Sequence, residues 1–210
     1  MPNWYERHIL PRLIGCVCCA PPIQKQRAKV VPLARGRVLE LGIGGGANLA
    51  FYDPTTVWSV HGVDPSAELR ARAMAAPRPD GLSVEVLDGT AERLPFEDAR
   101  FDDVVCTFTL CSVRDPAAAL AEARRVLRPN GRLIICEHGL APDADVATWQ
   151  RRIEPIYRPI AGGCHLTRPV RPGLERAGFA VEEWATMYLP GTPRVMGWNE
   201  WGVLSLGASS

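Results

Sequence analysis

The amino-acid sequence predicts an α/β fold in which a doubly wound parallel sheet carries helices on both faces. Two observations lead to this class. Short apolar segments rich in β-branched residues recur along the chain, and helix-like or loop segments separate them. A glycine-rich turn follows the first apolar segment, which is where open α/β sheets bind ligands. Because parallel strands need long crossover connections, this alternation indicates a parallel sheet.

The length of the chain favours one domain. Its 210 residues are enough for a substantial core and too few for two ordinary ligand-binding domains with linkers. There is no internal repeat and no low-complexity segment. We therefore expect a single domain over residues 1–210.

Two short helices are predicted before the first strand, at residues 4–13 and 24–31. Prolines interrupt this region, which limits the length of each helix. We expect both helices to lie over the sheet or at the mouth of its site. The interrupting prolines are Pro11, Pro21, Pro22 and Pro32.

Seven strands and three further helices are predicted after this region. The strands are 37–43, 57–63, 82–87, 101–108, 132–137, 179–188 and 196–204. The clearest helix follows the fourth strand, with Asp115 as N-cap, Pro116 at the first position and residues 129–131 closing it. Two more helices are predicted at 144–157 and 167–177, with ordered loops around 155–173 and 189–197.

The overall charge argues against nucleic-acid binding. The net charge is +1 and the sequence pI is near 7.6, and the arginines are scattered. No apolar run approaches the roughly 20 residues that a spanning helix needs. The first residues are charged, unlike a signal peptide, so a cytoplasmic location is expected. Peripheral contact with a membrane surface stays open.

The cysteines indicate neither a disulfide framework nor a metal site. There are seven, an odd number, and Cys106, Cys111 and Cys136 fall in apolar stretches typical of buried strands. A group at residues 16–19 contains three more cysteines. It has no second Cys/His cluster at zinc spacing, so no metal is expected.

The glycine-rich turn lies in residues 37–48, where an apolar strand runs into four glycines and a helix start. Without a Cβ, glycine reaches positive φ and lets backbone N–H groups approach a ligand. Gly42, Gly44 and Ala47 fit the dinucleotide-binding spacing, with Asp64 at the expected distance. The acidic Glu40 lies inside the apolar strand, two positions before the first glycine.

The segment Glu40-Leu41-Gly42-Ile43-Gly44-Gly45-Gly46 resembles the first motif of class I S-adenosylmethionine (SAM) methyltransferases. Residues 60–66, 87–96, 101–107 and 127–133 resemble further segments of the same family, so the resemblance covers residues 37–137. It implies a seven-stranded mixed sheet with six parallel strands and one antiparallel strand. It also implies SAM as cofactor and S-adenosylhomocysteine as product.

The resemblance assigns parts of the cofactor to particular residues. Asp64, at the end of the second strand, is expected to accept hydrogen bonds from both ribose hydroxyls, which suits a carboxylate. Thr90 stands where the family usually has Asp at the adenine edge, although the Ala91 N–H and nearby Glu92 remain available. The expected cofactor-binding residues are Glu40, Gly42, Gly44, Asn48, Asp64, Pro65, Ser66, Gly89, Thr90, Ala91, Cys106 and Thr107.

Other stretches narrow the resemblance. Residues 104–113, 136–138, 149–150 and 163–168 resemble the mammalian methyltransferase-like alkyl-thiol S-methyltransferases and their bacterial relatives. The mammalian proteins carry an apolar N-terminal anchor, which this sequence does not show. The cofactor motifs also resemble those of quinone C-methyltransferases and phospholipid N-methyltransferases, so they do not separate the acceptors. We expect residues 1–35 to form a helical cap, 36–140 the cofactor-binding core, and 141–210 the substrate side.

The expected reaction is direct in-line methyl transfer to a small molecule, with a small alkyl thiol as the first choice. A thiol has to become a thiolate, so a nearby base or positive charge would help. Candidates are His138 after the fifth strand, Cys111 past the fourth, and His165 in a glycine-rich loop, each of which has a structural alternative. For Glu137 the sequence does not decide between a structural polar contact at the strand end and a role in the site.

Three alternatives remain at this point. The acceptor is a phospholipid amine or a quinone carbon, or the protein binds SAM as a sensor without turnover. The stretch Cys106-Thr107-Phe108-Thr109 lacks the N-P-P-Y type of sequence that methylates amino groups of adenine or glutamine, and with the neutral charge this argues against a nucleic-acid substrate. The oligomeric state is not set by the sequence.

Overall fold

A computed structural model describes residues 20–207 and contains a seven-stranded sheet. Its strand order is β3-β2-β1-β4-β5-β7-β6. Strand β7 is antiparallel to both of its neighbours, and the other six strands run parallel. The predicted mixed sheet is therefore confirmed. The strands are β1 Gly36–Leu41, β2 Val57–Asp64, β3 Ser83–Asp88, β4 Phe101–Thr107, β5 Leu127–His138, β6 Phe179–Tyr188 and β7 Trp198–Leu206.

Residues 20–207 also contain six α-helices and two single-turn 3₁₀ segments. Asp115 caps α3 as predicted, because its carboxylate accepts hydrogen bonds from the N–H groups of Ala117 and Ala118 at 3.0 Å each. The helices are α1 Pro21–Val30, α2 Ala67–Ala75, α3 Pro116–Val126, α4 Ala144–Ile160, α5 Val170–Arg176 and α6 Arg194–Gly197, and the 3₁₀ segments are Val31–Leu33 and Leu49–Phe51. The predicted helix at 4–13 and the cysteines at 16–19 lie outside the described residues.

Hydrophobic side chains pack on both faces of the sheet, as a doubly wound fold requires. In β1, Leu39 and Leu41 face one core together with residues of α3 and α5, while Val38 faces a second core with residues of α1 and α2. This alternation has the period of two that a strand imposes. Each fully buried aliphatic side chain contributes roughly 1.5–3 kcal/mol relative to exposure.

Among the predicted boundaries that differ from the structure, two involve prolines. Helix α3 ends at Val126, and residues 129–131 belong to β5, where the pairing with β4 shifts register between Phe101 and Asp103. The turn-forming residues there make an irregularity inside a strand. Helix α4 continues past residue 157 to Ile160 with Pro155 and Pro159 inside it. Residues 158–160, predicted within a loop, are therefore helical.

Candidate functional site

The carboxyl ends of the parallel strands β1, β2, β4 and β5 meet at one edge of the sheet, and most predicted site residues lie there. The glycine loop after β1 shapes this edge. Gly44 has φ +54°, and a Cβ added to it would meet no atom closer than the Gly42 carbonyl oxygen at 3.9 Å. A Cβ on Gly42 would instead lie 2.6 Å from a methyl carbon of Thr109. Gly42 thus serves packing, whereas Gly44 leaves its backbone open to a ligand.

Asp64 joins the glycine loop to the start of α2. Its Oδ2 accepts a hydrogen bond from the Gly44 N–H at 3.1 Å, and its Oδ1 accepts one from the Ser66 N–H at 2.8 Å. Pro65 forms the bend between strand and helix. Burial raises the pKa of Asp64, and the two backbone hydrogen bonds oppose that rise. Each carboxylate oxygen keeps a lone pair for a further donor, so this residue fits the expected ribose contact.

Glu40 is buried in a network of polar side chains behind the glycine loop. Its carboxylate accepts hydrogen bonds from Asn48 Nδ2 and from the Tyr52 hydroxyl, both at 2.9 Å. Burial raises the pKa of Glu40 to about 7, although Tyr52, the positive charge of Arg27 and Asn48 lower it. The expected site residues Glu40, Asn48 and Thr107 are therefore together, since Asn48 also donates to Thr107 Oγ1 at 3.0 Å.

Arg27 brings a positive charge from α1 into this network. Its Nη1 donates to Asn48 Oδ1 and to Thr107 Oγ1, each at 2.6 Å. The guanidinium carbon lies 5.2 Å from the ring centroid of Phe108. Its buried Nε finds no hydrogen-bond partner within residues 20–207. Sequence reasoning missed Arg27, whose only signal was a helix expected near the site mouth.

The segment after β3 is expected to read the adenine edge. Thr90 forms an isolated bridge with Arg93, and Ala91 is buried against the first core. Gly89 leaves ordinary contact distance to its neighbours. Glu92 turns away, because its Oε1 accepts the Arg114 N–H at 2.8 Å and thereby anchors the loop before α3. Glu92 thus binds this loop, and Thr90 and Ala91 are left as candidates for the adenine contact.

A second cluster lies past β4 and β5 and contains two thiols and an imidazole. His138 Nε2 lies 2.7 Å from the Sγ of Cys164, and one ligand atom each of Cys111, His138 and Cys164 lies within 4.8 Å of the others. The structure therefore brings together two of the three candidate catalytic residues. Sequence reasoning did not single out Cys164, and its place beside His165 in the glycine-rich loop was the available signal.

Contacts inside the cluster alter the pKa values of its members. A hydrogen bond from Cys111 and, next, the hydrogen bond with His138 lower the pKa of Cys164 to about 4 against the effect of burial. The Cys164 hydrogen bond and, next, burial raise the pKa of Cys111 well above its ordinary value. Burial lowers the pKa of His138, but the interactions with Cys164 outweigh burial and the net shift is upward. The contacts therefore favour negative charge on Cys164 and positive charge on His138.

Glu137 holds the loop that carries Cys111. It is fully buried, and its carboxylate accepts hydrogen bonds from the N–H groups of Thr109 at 2.6 Å, Leu110 at 2.9 Å and Cys111 at 3.4 Å. Burial raises the pKa of Glu137 to about 7, and the hydrogen bonds from Thr109 and Leu110 oppose this. The Cys106 thiol also points at this carboxylate, at 3.6 Å, so only its backbone is left to meet a cofactor.

His165 and its neighbours brace the same region. The Nδ1 atom of the His165 ring lies 3.0 Å from Glu154 Oε1 on α4. The backbone N–H of His165 donates to the carbonyl of Cys111 at 2.9 Å. Arg168 donates to the carbonyls of Leu110 and Val113. These contacts give His165 a structural role in the loop. Within residues 20–207 its ring pairs with Glu154 and its backbone meets Cys111, so no side-chain contact with the cluster supports the predicted catalytic role.

Known proteins resemble this chain in sequence and in fold. The Methyltransferase domain family matches residues 39–135. Thiol S-methyltransferase TMT1B of Rattus norvegicus is 37% identical over 169 residues, which cover 76% of this chain and 68% of that protein. A demethylmenaquinone methyltransferase of Mycobacterium sp. is 35% identical over 153 residues, which cover 69% of this chain and 64% of that protein. The crystal structure of a SAM-dependent methyltransferase from Thermotoga maritima has a TM-score of 0.67 and 22% identity, covering 95% of this chain and 98% of that one.

Proposed function

We propose that this chain, which belongs to the class I SAM-dependent methyltransferases, methylates the sulfur of a small alkyl thiol. The family gives the reaction class and the cofactor: the chain is a methyltransferase that uses S-adenosylmethionine. The identity of the acceptor is the proposal. We also propose that residues 1–210 form one domain, in which 36–140 bind the cofactor and 141–210 form the acceptor side.

The residues at the strand ends fit the cofactor. Asp64 would hold the ribose, the open backbone at Gly44 would face the methionine part, and Ala91 with Thr90 would border the adenine. The buried guanidinium of Arg27 fits the carboxylate of the methionine part, because its Nε lacks a partner within the described residues. When bound, the cofactor supplies a methyl group on a positively charged sulfur.

The cluster of Cys111, His138 and Cys164 carries the thiol proposal. It places an imidazole and two sulfur atoms at the edge of the sheet where the strands end and the acceptor has to enter. A sulfur nucleophile needs its proton removed and its charge balanced, and such a cluster offers groups for both. The 37% identity with a thiol S-methyltransferase extends over 169 residues, longer than the matched family segment 39–135, and supports the same acceptor.

The protein's task in this reaction is alignment and deprotonation. Holding the acceptor sulfur in line with the methyl carbon lowers the activation barrier by on the order of 7–11 kcal/mol. The acceptor loses its S–H proton, its sulfur forms the new S–C bond, and the methyl group's old C–S bond breaks with the electron pair left on the departing S-adenosylhomocysteine. The transfer is direct and needs no enzyme nucleophile. Cys111 and Cys164 therefore take up no methyl group and act on the proton and the charge of the acceptor sulfur.

An acceptor screen by mass spectrometry tests the proposal. The purified chain is incubated with SAM in three separate reactions. One contains a small alkyl thiol, one contains vesicles with phosphatidylethanolamine, and one contains a demethylated quinone. We expect a product heavier by one methylene with the thiol, together with equimolar S-adenosylhomocysteine. A methylated lipid or quinone and an unchanged thiol would replace the proposal with a phospholipid N-methyltransferase or a quinone C-methyltransferase.

A further inference from the structure

The thiols and imidazole of the cluster come from three separate segments of the chain and converge on one point. Cys111 lies past β4, His138 ends β5, and Cys164 lies in the loop between α4 and α5. One ligand atom from each lies within 4.8 Å of the other two, and both thiols are almost fully buried. Two cysteines and a histidine are the donor set of one class of catalytic zinc site, which keeps a fourth position open.

The separations suit a small tetrahedral ion. With Zn–S bonds of about 2.3 Å and Zn–N bonds of about 2.0–2.1 Å, tetrahedral geometry puts two sulfur ligands about 3.8 Å apart and sulfur and nitrogen about 3.5 Å apart. His138 Nε2 and Cys164 Sγ lie at 2.7 Å, so they would separate by less than about 1 Å to admit the ion. Side-chain rotation supplies a movement of that size.

The surrounding contacts hold the ligands in place. Glu137 accepts a hydrogen bond from the Cys111 N–H, and the His165 N–H donates to the Cys111 carbonyl at 2.9 Å. Arg168 fixes the carbonyl of Leu110 beside it. Such outer contacts orient the ligands of metal sites. Two buried thiols also favour a divalent cation, because cysteines bind zinc as thiolates and the cation balances the negative charge that each thiol takes on when it loses its proton.

We propose that Cys111, His138 and Cys164 bind a Zn²⁺ ion whose fourth position takes the sulfur of the acceptor thiol. The second half of this statement rests on the proposed function. When the acceptor binds, its S–H bond breaks, the proton passes to solvent, and its sulfur forms a bond to the ion. The ion balances the charge on sulfur, and the neutral thioether product has a weaker hold on it and leaves.

Metal analysis of the full-length chain, purified without chelators, tests the site. We expect one zinc ion per chain in the parent protein and in Cys136→Ser, whose thiol is equally buried but belongs to the core on the other face. Cys111→Ser and Cys164→Ser should each weaken zinc binding at least roughly tenfold. A parent protein with no zinc, and no uptake of added Zn²⁺ under reducing conditions, would overturn the proposal. So would a Cys111–Cys164 disulfide in freshly purified protein.

Cobalt substitution tests the fourth position separately. Added Co²⁺ should give the absorption bands of a tetrahedral site with thiolate ligands, and a small alkyl thiol should shift those bands without any cofactor present. Bands that do not change when the thiol is added would overturn binding of the acceptor at the fourth position, and the metal site itself would remain supported. A parent protein that binds zinc and methylates no thiol would overturn the proposed function alone.

Discussion

The Nε2 atom of His138 lies 2.7 Å from the Sγ of Cys164, although the two residues are 26 positions apart in the chain. This contact changes the role that the sequence suggests for His138. The imidazole is engaged with a thiol of its own protein and is not free to approach an acceptor alone. Any help it gives to a thiol acceptor therefore passes through this pair, or through an ion held between them.

Replacement of Asp64 should weaken cofactor binding. Asp64→Ala removes the carboxylate expected to accept the ribose hydroxyls, and the loss of one charged hydrogen bond corresponds to roughly 1.5–3 kcal/mol, or about ten- to a hundredfold in Kd for SAM. Asp88→Ala is the matched control, since Asp88 is the neighbouring position on β3 and is exposed. Calorimetry with SAM measures both. An unchanged Kd in folded Asp64→Ala would place the ribose elsewhere.

Substitution of Gly44 separates ligand contact from backbone strain. Gly44 and Gly81 both have positive φ, +54° and +81°, and both have room for a Cβ. Alanine at either position should cost a similar 1–3 kcal/mol or so of folding stability. Only Gly44→Ala should weaken SAM binding, because its methyl group enters the open space before the loop. Equal SAM affinities for the two variants would limit Gly44 to a role in the turn.

The buried network around Glu40 should make stability depend on pH. Burial raises the pKa of Glu40 to about 7 from an ordinary 4.5, and that of Glu137 likewise. The folded chain therefore binds these protons more tightly than the unfolded chain. The stabilisation is complete below pH 4.5 and is lost as the pH rises to about 7, by an amount on the order of 3 kcal/mol for each carboxyl.

Denaturant titrations from pH 5 to pH 8 measure this dependence. Glu40→Gln should reduce the loss of stability over that range, whereas Glu97→Gln, an exposed position, should leave it as in the parent protein. The same fall in stability for the parent protein and Glu40→Gln between pH 5 and pH 8 would show that Glu40 does not titrate near neutrality.

Arg27 gives a test of the cofactor's carboxylate. Arg27→Met keeps the length of the side chain and removes the charge, so SAM should bind about ten- to a hundredfold more weakly if a charged hydrogen bond of roughly 1.5–3 kcal/mol is lost. Lys29→Met, on the same helix, is the control. Decarboxylated SAM should bind both variants with similar Kd, since it lacks the partner of Arg27. Equal weakening for both cofactors would make Arg27 a support for Glu40 and Asn48.

His138→Ala should lower turnover of a thiol by roughly 10²–10⁴-fold at pH 7 if the imidazole helps to form the thiolate. The defect should shrink as the pH approaches the pKa of the acceptor thiol, because solvent then supplies the thiolate. His61→Gln is the control, since His61 lies within β2 and faces Glu85. A loss that is uniform at every pH would indicate positioning alone.

Much of the fold could be predicted because its signals are local. The strand periodicity, the N-cap of α3 and the glycine loop each depend on residues close together in the chain. The continuation of β5 over residues 129–131 was missed, since Pro129-Asn130-Gly131 commonly ends a helix. Here it lies between Leu127 and Arg132, which both pair with β4. Arg27 and Thr107 are 80 positions apart, and no local pattern predicts such a contact. The partnership of His138 with Cys164 was missed for the same reason.

A single-turnover experiment with methyl-labelled SAM tests the central claim most directly. The chain is held in excess over the labelled cofactor with a small alkyl thiol in solution, and the label is located by mass spectrometry. Thiol S-methylation predicts that the label moves to the thiol sulfur in step with the appearance of S-adenosylhomocysteine. Cofactor that binds and stays intact in the presence of the thiol, while a phospholipid amine or a quinone carbon takes the label, would contradict it.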